Sequence, residues 1–171
     1  IQKNRVAEKM KIGIMGGTFN PIHNAHLLIA EMAREEYGLD RVIFITDGNP
    51  PHKSANVTAK QRFEMTHIAI ADNSAFEEDD FEINRSEKSY TVNTLGYLKE
   101  KYPNNDLFFI IGEDSLNDFD KWYKPDKILE MCSLLVFPRK SLKSLTETIK
   151  AVKEKMNGRI FPISAPVFRI S

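Results

Sequence analysis

Two imidazoles, a hydroxyl and a pair of glycines fall within one short run, Gly16-Gly17-Thr18-Phe19-Asn20-Pro21-Ile22-His23-Asn24-Ala25-His26. Spaced three residues apart at the start of a helical pattern, His23 and His26 share one face. Glycines let the backbone turn sharply and approach a ligand with no Cβ in the way. The first turn of a helix adds free N–H groups and the positive end of the dipole, a natural seat for an anion. This chemistry suits a polyphosphate. The plain alternative is a strand-to-helix turn carrying two solvated histidines.

Several other chemistries are excluded by spacing. No Gly-Lys-Ser/Thr follows the glycines, so the run is not a Walker A loop. Gly13, Gly16 and Gly17 do not have the dinucleotide-fingerprint spacing. His23 and His26 have no third metal ligand at a telling distance, and Cys132 is remote in sequence. No Gly-x-Ser-x-Gly elbow is present for a serine hydrolase.

The elements that must position this run alternate along the chain. Strands are predicted at Lys11 to Met15, Val42 to Thr46, Asp80 to Asn84, Leu107 to Ile111, Ser133 to Phe137 and Arg159 to Ile163. Several are continuous apolar runs, as expected of strands covered on both faces. Helices are predicted from Asn24 to Tyr37, stopping at Gly38, and over Ala59 to Asp72, Val92 to Lys101 and Leu142 to Met156. The alternation implies right-handed crossovers and an α/β fold with a doubly wound, mainly parallel sheet. In such sheets ligands bind beyond the carboxyl ends of the strands, where the strand order reverses. The first and fourth strands would flank that crevice. The histidine run would then face Gly112-Glu113-Asp114-Ser115 across it. The loop Asp47 to Thr58, with Pro50-Pro51, is the candidate for a mobile flap.

Composition sets the frame. The 171 residues suit one domain; 42% are hydrophobic and 28% charged, and the net charge is zero. Neutrality removes the broad electrostatic case for nucleic acid or an anionic membrane. No apolar run has the length of a membrane span, and Ile1 to Lys9 is polar, unlike a signal peptide. We expect a cytoplasmic protein whose one cysteine, Cys132, is a buried spectator thiol. Met10 is the expected natural start, with residues 1–9 an extension or cloning remnant and 10–171 a single domain.

Further motifs carry a family resemblance. Gly16 to His26 resembles the nucleotidylyltransferase signature Gly-x-Phe-Asp-Pro-x-His-x-Gly-His. Pro50-Pro51-His52-Lys53 follows the second strand, Ser89-Tyr90-Thr91-Val92-Asn93-Thr94-Leu95 opens a helix, and Gly112-Glu113-Asp114-Ser115 follows the fourth strand. Trp122-Tyr123 and Arg139 come next. In this order the set resembles the bacterial nicotinate mononucleotide adenylyltransferases, from about Met10 to Ser171. The resemblance implies a Rossmann-like nucleotidylyltransferase fold. It also implies transfer of the adenylyl group of ATP to nicotinate mononucleotide, giving deamido-NAD and pyrophosphate in NAD biosynthesis. The implied cofactor is Mg²⁺, held mainly by ATP phosphates and water. The implied partners are small molecules, with no nucleic acid or membrane; a homo-oligomer is compatible with this reading. Such a reaction needs in-line alignment and charge neutralisation more than a covalent intermediate.

By the same resemblance, His23 and His26 are the catalytic pair. Gly16, Gly17, Thr18, Phe19, His26, Gly112, Asp114 and Arg139 meet ATP and its phosphates. His52, Lys53, Thr91, Trp122 and Tyr123 meet the mononucleotide: Trp122 stacks on the pyridine ring, and backbone N–H groups at Thr91 and Tyr123 receive its carboxylate. Each residue also has a structural duty open to it. Phe19 and Trp122 could be core, His52 and Lys53 a solvated loop, Asp114 an N-cap ahead of Leu116, and Arg139 an ordinary exposed arginine. Lys60 and Arg62 read as helix surface, Asp79 and Asp80 as solvent-facing, and His67 receives no role.

Three departures from the family pattern stand out. Asn20 replaces the usual Asp, and Ala25 the usual Gly between the histidines. Ile170-Ser171 matches only the start of the family's Ile-Ser-Ser-Thr-x-Ile-Arg run, whose remainder we expect beyond Ser171. Competing readings are a sibling enzyme acting on nicotinamide mononucleotide or on phosphopantetheine, and a non-catalytic nucleotide sensor. Thr is typical at the first histidine position of the phosphopantetheine enzymes, so His23 disfavours that sibling.

Overall fold

The computed structural model describes residues 9–19, 21–48, 58–85 and 88–164. Six strands form one sheet: β1 (Lys11–Gly17), β2 (Arg41–Thr46), β3 (Phe76–Asp79), β4 (Asp106–Gly112), β5 (Ser133–Phe137) and β6 (Ile160–Pro162). Their order is β3-β2-β1-β4-β5-β6, and every pairing is parallel. β1 thus lies between β2 and β4, and the order reverses at the β1/β4 pair, as the alternation predicted.

Period-two alternation sends successive side chains to opposite faces of the sheet. Ile12, Ile14, Ile43, Ile45, Phe109, Ile111, Leu134 and Val136 belong to one buried cluster, with Leu95, Leu98, Leu116, Leu145 and Ile149 from the helices. Met15, Val42, Phe44, Ile110 and Leu135 belong to the other, with Ile29, Ala30, Ala33 and Ile70. The first face carries α3 (Thr91–Lys101), α4 (Glu113–Asn117), α5 (Pro125–Met131) and α6 (Leu142–Lys155); the second carries α1 (Asn24–Tyr37) and α2 (Ala59–Ile70). Cys132 lies in the first core, where burial pushes its thiol pKa up to about 12.

Local chemistry sets the helix ends. α1 ends where predicted, at Gly38 in the left-handed conformation (φ 63°). α2 starts at a reciprocal Thr58/Gln61 capping box. α6 starts where the Ser144 N–H donates to the Ser141 hydroxyl.

Two expectations need correction. The third strand is Phe76–Asp79, and residues 81–84 form a turn closed by the Asn84 N–H donating to the Asp80 carbonyl. The strand falls earlier than Asp80 to Asn84 because Phe76 supplies the buried partner opposite Val42. Asp79 is also not solvent-facing: it is 4% exposed and accepts from Lys101 Nζ (2.8 Å), the Tyr97 hydroxyl (2.9 Å) and the Phe81 N–H (2.9 Å). These three donors compensate its burial. Asp80 is exposed, as read. The short helices α4 and α5 are too brief for a periodic signal and were not expected.

Candidate active site

The site lies at the carboxyl ends of β1, β2 and β4. After β1 the chain turns through Thr18 and Phe19, and Phe19 has a left-handed backbone (φ 50°). A non-glycine residue rarely adopts that conformation, which costs roughly 1–3 kcal/mol. Burial offsets the strain: the Phe19 ring is 4% exposed, packs on Phe44, and meets the His26 ring edge-on at 5.4 Å. A Cβ on Gly17 would fall 2.9 Å from that ring, so only glycine fits the turn. Phe19 therefore contributes its side chain to the core and braces His26 from behind.

His23 is the N-cap of α1, and His26 is the third residue of the helix. Their rings stack at 5.6 Å with an interplanar angle of 19°. The His23 N–H donates to His26 Nδ1 at 3.0 Å. An accepting Nδ1 leaves the proton of the neutral ring on Nε2, so His26 offers Nε2–H as a donor. Burial, and then the neighbouring His23, hold the His26 pKa below its ordinary value of 6.5. His23 is exposed and His26 half-buried, so both remain within reach of a ligand.

On the α3 side of the same turn lies a cavity of about 260 Å³. Gly16, Gly17, Thr18, Asp47, Thr91 and Trp122 are among its walls. Trp122 is half-buried, its ring 4.9 Å from Phe119 and 6.1 Å from Phe109. α3 begins at Thr91, so the N–H groups of Thr91 and Val92 precede the helical ladder, which opens with the Asn93 and Thr94 N–H groups donating to the Tyr90 carbonyl. The Ser89 hydroxyl is buried there without a partner among the described residues. Tyr123 is exposed beside this wall, its ring 4.6 Å from Tyr90.

A third part stands over β4 and β5. Gly112 is the N-cap of α4, which places Asp114 in the first turn and not at the cap. Arg139 Nη1 donates to Asp114 Oδ1 at 3.1 Å, so two residues expected separately meet as one exposed pair. Beneath them Glu113, 5% exposed, accepts from the Arg139 N–H (3.0 Å), the Ser144 hydroxyl (3.1 Å) and the Thr148 hydroxyl (3.0 Å).

His52 and Lys53 lie outside the described residues, as do Asn20, most of the Asp47 to Thr58 loop and Ile170-Ser171. Lys60 is exposed, as read, but Arg62 is not helix surface: it is 1% exposed and reaches the loops above the sheet. Sequence reasoning also missed Asp47, Glu82 and Thr94. Glu82 and Thr94 line the cavity as a pair, the Thr94 hydroxyl donating to Glu82 Oε2 at 2.6 Å. Burial, reinforced by Asp47, pushes the Glu82 pKa up, against the Thr94 hydrogen bond. Position after β2 could have flagged Asp47; nothing local marks Glu82. A larger depression of about 330 Å³ lies between α4 and α6, and none of the residues expected at the site line it.

Among the described residues, no three His, Cys, Asp or Glu side chains stand together to hold a metal ion. No helix among them is long and apolar enough to cross a membrane.

Residues 14–169 match the cytidylyltransferase-like family. The chain is 47% identical over 144 residues to a protein of Citrifermentans bemidjiense named "Probable nicotinate-nucleotide adenylyltransferase", covering 82% of this chain and 67% of that protein. It is 41% identical over 164 residues to a protein of the same name from Caldicellulosiruptor bescii, covering 95% and 83%. A solved Plasmodium falciparum nicotinic acid mononucleotide adenylyltransferase, complexed with NaAD, superposes with a TM-score of 0.75. At 22% identity, with 94% of this chain and 77% of that one covered, it shows the shared fold. With a reversing all-parallel sheet, a stacked histidine pair beside the Gly-Gly turn and these relatives, the chain belongs to the cytidylyltransferase-like family, among the nicotinate-nucleotide adenylyltransferases.

Proposed function

We propose that this site transfers the adenylyl group of ATP to nicotinate mononucleotide. The carrying observation is the juxtaposition at one turn of two unlike subsites. One is an imidazole pair at a helix N-terminus; the other is an aromatic-walled cavity with a second helix N-terminus opening into it. A triphosphate suits the first. A planar anionic pyridine suits the second, with Trp122 against the ring and the first-turn N–H groups at Thr91 against the carboxylate. The Tyr123 backbone is assigned to the same carboxylate by resemblance.

In the reaction a phosphate oxygen of the mononucleotide attacks the α-phosphorus of ATP. A new P–O–P bond forms, the bond between the α-phosphorus and its bridging oxygen breaks, and pyrophosphate leaves. The acceptor phosphate is already nucleophilic, so the protein's contribution is alignment and charge stabilisation. His26 donates from Nε2–H to the phosphates, with His23 beside it, and the α1 dipole favours the negative charge. Gly16, Gly17 and Thr18 bring backbone close to the phosphate path. Asp114 is assigned to the ATP ribose and Arg139 to its phosphates, both by resemblance, and Gly112 permits the approach of ATP. His52 and Lys53 are assigned to the mononucleotide by motif alone. When bound, Mg²⁺ would neutralise phosphate charge; with no protein cage among the described residues, its ligands would be phosphate oxygens and water.

The test is pyrophosphate release by the protein with Mg-ATP. Nicotinate mononucleotide should support turnover well above that with nicotinamide mononucleotide, and Trp122→Ala should weaken mononucleotide binding by about tenfold, a loss of about 1.4 kcal/mol. Equal rates with the two mononucleotides would remove the nicotinate assignment.

A further inference from the structure

Arg62 sits on α2 beneath the site, outside both proposed subsites, and is among the largest fully buried side chains of the protein. Its Nη1 gives one proton to the Thr18 carbonyl and one to the Asp47 carbonyl, each at 2.7 Å. Among the described residues its Nε is buried with no hydrogen-bond partner. Burying a guanidinium is costly: desolvation outweighs the attraction of the nearby Asp47 charge, and the two carbonyl bonds leave Nε idle. An apolar side chain of similar volume would serve packing at least as well.

What the guanidinium joins is more informative. Thr18 belongs to the turn that follows the glycines, and Asp47 is the first residue after β2; both line the cavity. The Asp47 N–H also donates to the Gly17 carbonyl at 2.9 Å. Beyond Asp47 the backbone is held close: a Cβ on Gly48 would fall 2.1 Å from the Glu82 carbonyl oxygen. The ends of β1 and β2 and the Glu82 turn are thereby fastened together, with Arg62 as the tie from below.

We propose that Arg62 is a positioning residue for adenylyl transfer: by holding the Thr18 and Asp47 carbonyls together, it fixes the phosphate turn relative to the mononucleotide cavity. This rests on the function proposed above. In-line transfer is sensitive to such registration, because a displacement near 1 Å costs on the order of 10²-fold in rate. Loss of the tie should therefore lower kcat and leave both KM values nearly unchanged, since each subsite keeps its own contacts.

The variants are Arg62→Met, which keeps bulk and removes the donors, and Arg62→Lys, whose ammonium falls about one bond short of the carbonyls. Each is assayed by pyrophosphate release well below its unfolding midpoint, with circular dichroism as the check on folding. We expect a native spectrum, KM values within about threefold of wild type, and kcat reduced roughly 30- to 100-fold. A folded variant with kcat within threefold of wild type would overturn the proposal. So would failure of both variants to fold, which would make the guanidinium a structural group. A wild-type protein inactive with nicotinate mononucleotide would instead remove the functional reading, and this role with it.

Discussion

At the scale of single residues, the His23–His26 pair carries the most chemistry. Its geometry assigns the His26 tautomer, because the His23 N–H already occupies Nδ1 at 3.0 Å. The ring is partly desolvated and the neighbouring His23 opposes a second positive charge, so the pKa falls. Replacing His26 by Ala should lower kcat about 10²- to 10³-fold, the usual cost of one preorganised donor to a developing anion, without altering the fold. The same variant has a pH signature. With the folded pKa below 6.5, the unfolded chain binds more protons than the folded one in mildly acid solution. The stability that His26 contributes is thus complete above pH 6.5 and is lost as pH falls toward the folded pKa. Denaturant unfolding between pH 7.5 and 5.5 should show wild type losing more stability than His26→Ala. An equal loss would mean that His26 is not shifted.

At the scale of elements, α4 is held by what lies beneath it. Five residues cannot form a stable helix alone. Glu113 ties α4 to α6 and to the Arg139 backbone through three donors. Glu113→Ala would strand those donors and cost about 3 kcal/mol, lowering Tm by roughly 6–12 °C. Glu113→Gln, which keeps an acceptor oxygen, should lose about half as much. A Tm within 2 °C of wild type for the Ala variant, read by calorimetry, would show that α4 is anchored otherwise. Arg139 would shift with α4, so the Ala variant should also bind ATP more weakly.

For the whole molecule, the sheet order matters most. Because the order reverses at β1 and β4, turns from both strands, the start of α3 and the start of α1 converge on one edge. The chain has zero net charge, yet the proposed substrates are anionic. Attraction therefore has to come from local devices: helix N-termini and imidazoles, not a long-range field. A ligand gripping elements on both faces of the sheet stabilises the whole fold. ATP with nicotinate mononucleotide at about a hundred times Kd should add about 2.7 kcal/mol and raise Tm by roughly 5–10 °C. Absence of any shift at saturating concentrations would contradict binding at this edge.

Sequence alone determined what depends on short-range order. The period-two and period-3.6 patterns, the Gly38 stop and the strand alternation followed from neighbours a few residues apart. So did the seating of His23 and His26 at one helix start, because the geometry of a helical turn brings them together. Tertiary structure decided the rest. Arg62 reads as surface on its own helix, and only the closing of the β1 and β2 ends over it makes it buried. Asp79 is compensated by Tyr97 and Lys101 from another helix, and Glu113 by Ser144 and Thr148 from α6. The burial of a polar group depends on which distant donors arrive to satisfy it, and no local pattern encodes that arrival.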